Sequence, residues 1–81
     1  MIKLMFFGRF TDIAASRYSE LPIEISTIKD LATWLGKGDD PLRHALAQKG
    51  VRVAVNQVMT DFDAPVVDGD EVAFMSALSG G

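Results

Sequence analysis

A single helix-length apolar stripe limits what this chain can build. Thr27-Ile28-Lys29-Asp30 has the form of a capping box, with Thr27 as N-cap and Asp30 three residues on. Ile28, Leu31, Ala32 and Leu35 then recur at i, i+3, i+4 and i+7, so they share one helical face, and Gly36 and Gly38 end the run. Most other apolar residues fall in short runs with strand character or in one short second helix. The arrangement that buries one amphipathic helix and several half-buried strands together is a sheet packed on that helix, an α+β domain. With 81 residues there is room for one such domain, spanning residues 1–81, with a small core.

In chain order, Ile2–Phe7 reads as the first strand, with Ile2, Leu4 and Phe6 facing the core and Lys3, Met5 and Phe7 on the other side. An apolar Met5 and Phe7 beside solvent-facing Lys3 need a cover, from this chain or from a partner. Residues 10–19 read as a connection, with a helical turn at Asp12-Ile13-Ala14-Ala15 capped by Thr11. Leu21-Pro22-Ile23-Glu24-Ile25 alternates and predicts a half-buried edge strand forming a hairpin with the first. Trp34 lies off the main helix stripe, as a ring at the helix margin. A short second helix comes next, with an aspartate N-cap in Asp39-Asp40, Pro41 at its start, Leu42, Ala45 and Leu46 as its apolar face and Gly50 past its end. Val51-Arg52-Val53-Ala54-Val55 is a strand with the valines inward, Asn56-Gln57 a turn and Val58-Met59-Thr60 a short strand. Asp68-Gly69-Asp70 turns into a final strand, Glu71 to Leu78.

Composition removes several kinds of chemistry. There is no cysteine, hence no disulfide framework, thiol nucleophile, persulfide or thiolate metal site within the chain. A net charge of −3 with scattered basic residues gives no drive toward nucleic acid or anionic lipid. The apolar start reaches Arg9 too soon for a signal peptide or membrane span, so a cytoplasmic protein is expected. His44 has no Cys, Ser or second His nearby in sequence for a dyad or a metal pair and reads as a surface residue. Asp61, Asp63 and the Asp68–Glu71 acids lack the regular ligand order of a calcium loop, and turn chemistry explains them better; no metal site is expected.

The chain ends on Leu78-Ser79-Gly80-Gly81. Two glycines stabilise nothing, so they read either as a frayed tail or as a flexible tail shaped for a narrow slit. In the second case Ser79 and Gly80 are inserted into a partner and Gly81 presents its carboxylate.

Three segments carry a resemblance: Met1-Ile2-Lys3-Leu4-Met5-Phe6-Phe7, then Val53-Ala54-Val55-Asn56-Gln57, then Asp68-Gly69-Asp70-Glu71-Val72-Ala73-Phe74 ahead of Ser79-Gly80-Gly81. Together they resemble the MoaD/ThiS family of sulfur carriers, which includes the small subunit of molybdopterin synthase, and the resemblance spans the whole chain. It implies a β-grasp, ubiquitin-like fold, a mixed sheet on one main helix plus a short helix. It implies that an ATP-dependent adenylating enzyme activates Gly81, that a persulfide donor converts it to a thiocarboxylate, and that the sulfur goes to cyclic pyranopterin monophosphate inside a large synthase subunit. The chain itself would bind no cofactor, ATP being used by the activating partner, and would be a non-catalytic subunit in a heterotetramer of two small and two large subunits. Where the family usually carries Pro-Pro before the tail, this chain has Ser76-Ala77, which predicts a less stiff approach.

Within that resemblance the outward apolar residues acquire a use: Phe7, Met59, Met75 and Leu78 are expected to line the partner interface. Other readings share the tail. A carrier for thiamine or tRNA thiolation, a ubiquitin-like modifier joined to lysines through Gly81, and a binding module with an inert tail each remain open to the sequence.

Overall fold

The structure, a computed structural model, describes residues 1–76. Its elements in chain order are strand β1 (Ile2–Phe7), a 3₁₀ helix (Gly8–Asp12), β2 (Arg17–Ser19), α1 (Ile28–Gly36), α2 (Asp40–Leu46), β3 (Arg52–Val55), β4 (Val58–Thr60) and β5 (Glu71–Met75). The strands form one mixed sheet in the order β2-β1-β5-β3-β4. Its centre is the parallel pair β1 and β5, in register from Lys3 opposite Glu71 to Phe7 opposite Met75, and every other pairing is antiparallel. Parallel neighbours need a long crossover. Here the intervening chain supplies it and lays both helices on one face.

That face holds the core. Ile2, Leu4 and Phe6 of β1, Val53 of β3, and Val72 and Phe74 of β5 meet Ile28, Leu31 and Leu35 of α1 and Leu42 of α2. Phe10, Ile25 and Val66 seal it from the connections. Phe74 is the hub of the aromatic cluster, with ring centroids 5.9 Å from Phe6, 6.5 Å from Phe10 and 6.3 Å from Phe62.

The start of α1 shows why the segment after β4 is held in place. A helix begins with backbone donors that have no partner within it. The Ile28 and Lys29 N–H groups donate to the carbonyls of Ala64 and Phe62, at 3.0 and 2.8 Å, and the Asp30 N–H donates to Thr27 Oγ1 at 3.2 Å. The expected N-cap is therefore present. Gly36 has a different part from the one its position predicts. It is the last, buried residue of α1, and a Cβ there would lie 2.9 Å from Arg43 Cβ and 3.2 Å from Arg43 Cα, so its bareness lets α2 approach. Gly36→Ala is expected to destabilise the domain by about 1–3 kcal/mol through overpacking, read as a lowered denaturant midpoint with an unchanged slope.

Two further sequence expectations need correction. Leu21–Ile25 is not a strand: the Ile25 N–H donates to the Pro22 carbonyl at 3.0 Å and closes a turn. The turn carries Ile23 out to solvent at its tip and brings Ile25 back to the side on which Leu21 packs, which mimics strand alternation. Leu21 and Ile25 accordingly pack on the core while Ile23 is 98% exposed. The true partner of β1 is β2, which pairs Ile2 with Ser19 and Leu4 with Arg17 through backbone hydrogen bonds and buries no apolar side chain of its own. Secondly, the helical turn comes earlier than Asp12–Ala15. It is the 3₁₀ helix Gly8–Asp12, anchored by buried Phe10, and Thr11 Oγ1 donates to the Gly8 carbonyl at 2.8 Å instead of capping a later turn.

The sequence segments Asn56-Gln57 and Asp68–Glu71 meet in space. Asn56 and Gln57 turn β3 into β4 with φ of 51° and 68°, the conformation of a tight two-residue hairpin. The Asn56 side chain then donates to Asp70 Oδ1 at 2.9 Å and accepts from the Glu71 N–H at 3.0 Å, while Asp70 Oδ2 accepts from the Val67 N–H. Asp61 caps the Asp63 N–H in the same manner, and Asp68 pairs with the Met1 ammonium. These acids are thus engaged in turn chemistry. Among the described residues no three His, Cys, Asp or Glu side chains gather as a metal group, and no helix is long and apolar enough to cross a membrane.

Candidate functional site

The sheet face turned away from the helices is built by cross-strand register. Met5, Ala73, Ala54 and Met59 fall in one row across β1, β5, β3 and β4. The next row is Phe7, Met75 and Arg52. On the other side Lys3 stands opposite Glu71, their charged ends 3.9 Å apart. Two alanines at the centre and long side chains around them produce a shallow apolar groove, walled by Met5, Met59, Phe7 and Met75. No element of the described chain covers it. Phe7 is 42% exposed and Met59 52% exposed.

The structure therefore brings together Phe7, Met59 and Met75, three of the residues expected at the interface, with Met5, which the sequence placed outward beside Phe7. None of the four belongs to the buried core. Ala54 and Ala73, the groove floor, carried a signal that sequence reading passed over: small residues at outward positions of neighbouring strands. The final strand expected over Glu71 to Leu78 is a strand over Glu71–Met75, with Ser76 after it. Leu78, Ser79, Gly80 and Gly81 lie outside the described residues. His44 is exposed on α2, where its carbonyl accepts from Gln48 Nε2.

Because β1 and β5 are parallel and end in register, the chain leaves β5 at the rim of this groove, next to Phe7. There Ser76 Oγ accepts a hydrogen bond from the Arg9 N–H at 2.8 Å. The described residues present no acid–base or nucleophilic constellation at this place. They present an open apolar face, softened by methionines that can repack against a partner, and a strand that delivers the tail to its edge.

A mixed sheet with a central parallel pair, wrapped on one main helix, defines a β-grasp domain of the ubiquitin-like kind. The ThiS family model matches residues 4–81, and the chain belongs to that family. It is 33% identical, over the full length of both chains, to the molybdopterin synthase sulfur carrier subunit of Escherichia coli. Among solved structures, the HVO 2177 protein of Haloferax volcanii superposes with a TM-score of 0.77 at 25% identity, covering 99% of this chain and 85% of that one. Subunit 1 and 2 of molybdopterin-converting factor from Helicobacter pylori were solved as a complex, and the match there has a TM-score of 0.68 at 20% identity, covering 99% of this chain and 97% of that one.

Proposed function

We propose that this chain is the sulfur-carrying small subunit of a molybdopterin synthase, with Gly81 as the loaded residue. The observation that carries the reading is the full-length relation to the Escherichia coli sulfur carrier subunit. The open groove beside the exit of β5 supports it. A carboxylate is a poor acceptor of nucleophiles because its charge is delocalised and oxide is a poor leaving group, so activation has to precede sulfur transfer. A Gly81 carboxylate oxygen attacks the α-phosphorus of ATP on an adenylating enzyme, and pyrophosphate leaves. The terminal sulfur of a persulfide donor attacks the acyl carbon and AMP leaves. A thiol then cleaves the resulting S–S bond, forming a disulfide with the donor sulfur and releasing the Gly81 thiocarboxylate. That sulfur is delivered to cyclic pyranopterin monophosphate in the large subunit, which supplies the pocket and the acid–base groups.

The groove is the docking face for the large subunit in this reading, with Phe7, Met59 and Met75 as contacts and Ser79 and Gly80 threading the tail. Phe7→Ala and Met59→Asp are each expected to weaken binding of the large subunit by at least about tenfold, the scale of losing one anchor residue. Both side chains are about half in solvent, so thermal unfolding should move little. Calorimetric titration beside a melting curve checks both halves, and unfolding without selective loss of binding would assign these residues to stability instead.

The direct test of function is the intact mass of the protein purified from its native cells without thiol-modifying reagents. A fraction heavier by one sulfur-for-oxygen exchange, mapped to Gly81, is the expected result. A terminus that stays plain carboxylate with an adenylating enzyme, ATP and a sulfur donor present would remove sulfur transfer as the function.

A further inference from the structure

The 3₁₀ helix after β1 starts without a local cap: Phe7 stands at its N-cap position and makes no side-chain hydrogen bond. Its early backbone donors therefore need a partner from elsewhere. Ser76, 67 residues away in sequence, provides one by accepting the Arg9 N–H at 2.8 Å. The fit is specific to the neighbour. Gly8 adopts φ +66°, and a Cβ built there would lie 2.3 Å from Ser76 Oγ, so the hydroxyl fills the space that the missing side chain leaves. Phe7 and Met75 are the last paired residues of the parallel strands. Gly8, Arg9 and Ser76 thus form a lock immediately beyond the sheet.

We propose that Ser76 is a positioning residue for activation of the carboxyl end: by capping the Arg9 N–H, it fixes the point and direction in which the chain leaves the sheet. This rests on the reading that Gly81 is adenylated. Residues 77–81 are five, which at full extension reach no more than about 17 Å. With so short a lead, the origin decides which poses let the carboxylate meet the α-phosphorus of ATP once the carrier is bound to the adenylating enzyme. The lock would supply by a side chain the restraint expected to weaken where serine and alanine stand in place of two prolines.

The role separates from docking in kinetics. Docking contacts, wherever they lie, set how tightly the carrier binds the adenylating enzyme, whereas Ser76 sets how often a bound carrier is aligned. The experiment is ATP–pyrophosphate exchange with the adenylating enzyme of the same cell and full-length wild-type, Ser76→Ala and Ser76→Thr carriers, alongside hydrogen exchange of the Arg9 amide. Ser76→Ala is expected to lower kcat by about 2- to 12-fold, the range one hydrogen bond is worth in an equilibrium. KM for the carrier stays within about twofold of wild type on the same scale, the Arg9 amide exchanges faster, and Ser76→Thr, which keeps the hydroxyl, restores most of the rate. An unchanged kcat would overturn the role, and so would a loss confined to KM, which would make Ser76 part of the docking face. A wild-type carrier that supports no exchange would instead bring down the sulfur-carrier reading and the positioning role with it.

Discussion

Removal of Gly81 is expected to abolish sulfur loading completely while leaving the thermal unfolding midpoint where it stands in the full chain. The two halves come from where the energy lies. Among the described residues every side chain of the buried core lies between Ile2 and Phe74, and Gly81 has no side chain of its own to bury. A terminal glycine has nothing to contribute to folding beyond its entropy. In the proposed function the chemistry depends on which residue bears the carboxylate and how far it reaches. Shortening the tail by one residue withdraws the reacting carbon by up to about 3.5 Å, as large as the whole separation at which a nucleophile and its target are held. Intact mass after incubation with an adenylating enzyme, ATP and a sulfur donor reads the first half, and a circular dichroism melt reads the second. A shortened chain that still gains sulfur would show that Gly81 is not the loaded residue.

The second large effect is on the fold. Phe74→Ala is expected to cost about 3–5 kcal/mol, the range for truncating a buried aromatic ring. Phe74 is fully buried and is the ring on which Phe6, Phe10 and Phe62 converge. Net stability of about 0.05–0.15 kcal/mol per residue is usual for a domain, so such a loss is comparable with everything that holds this one folded. Denaturant titration should show a midpoint displaced toward zero or a chain unfolded in buffer. A shift below about 1 kcal/mol would mean that the three neighbouring rings close over the vacancy.

Much of this architecture was legible in the residues because local chemistry and burial pointed the same way. Thr27 with Ile28, Leu31 and Leu35 specified α1, Asp39 and Pro41 started α2, and alternation in Ile2–Phe7 and in the Val51–Val55 run separated inner from outer faces. The elements that escaped owe little to side-chain burial. β2 carries Arg17, Tyr18 and Ser19, none of them buried, and is a strand only because β1 offers it backbone partners. Leu21–Ile25 has the opposite character, with strand-like alternation produced by a turn closed at Pro22. Of the candidate site, the outward placement of Phe7, Met59 and Met75 could be read from period two. Their meeting around Ala54 and Ala73 could not, since it depends on strand order. The Ser76–Arg9 bond was hidden for the same reason: its partners are distant in sequence, and only parallel pairing of β1 with β5 sets them side by side.

That pairing also orders events during synthesis. The last strand to be made, β5, is the middle strand of the sheet, between β1 and β3. Until it emerges, the sheet consists of two separate antiparallel pairs, β1 with β2 and β3 with β4, which are marginal units by themselves. The inner face lacks Val72 and Phe74, and the outer face lacks Ala73 and Met75. In the proposed role, a chain without β5 lacks part of the groove floor and wall, so docking has to wait for the strand that precedes the proposed reactive residue. On that reading the topology itself would keep an incomplete chain from docking, without any separate act of inspection.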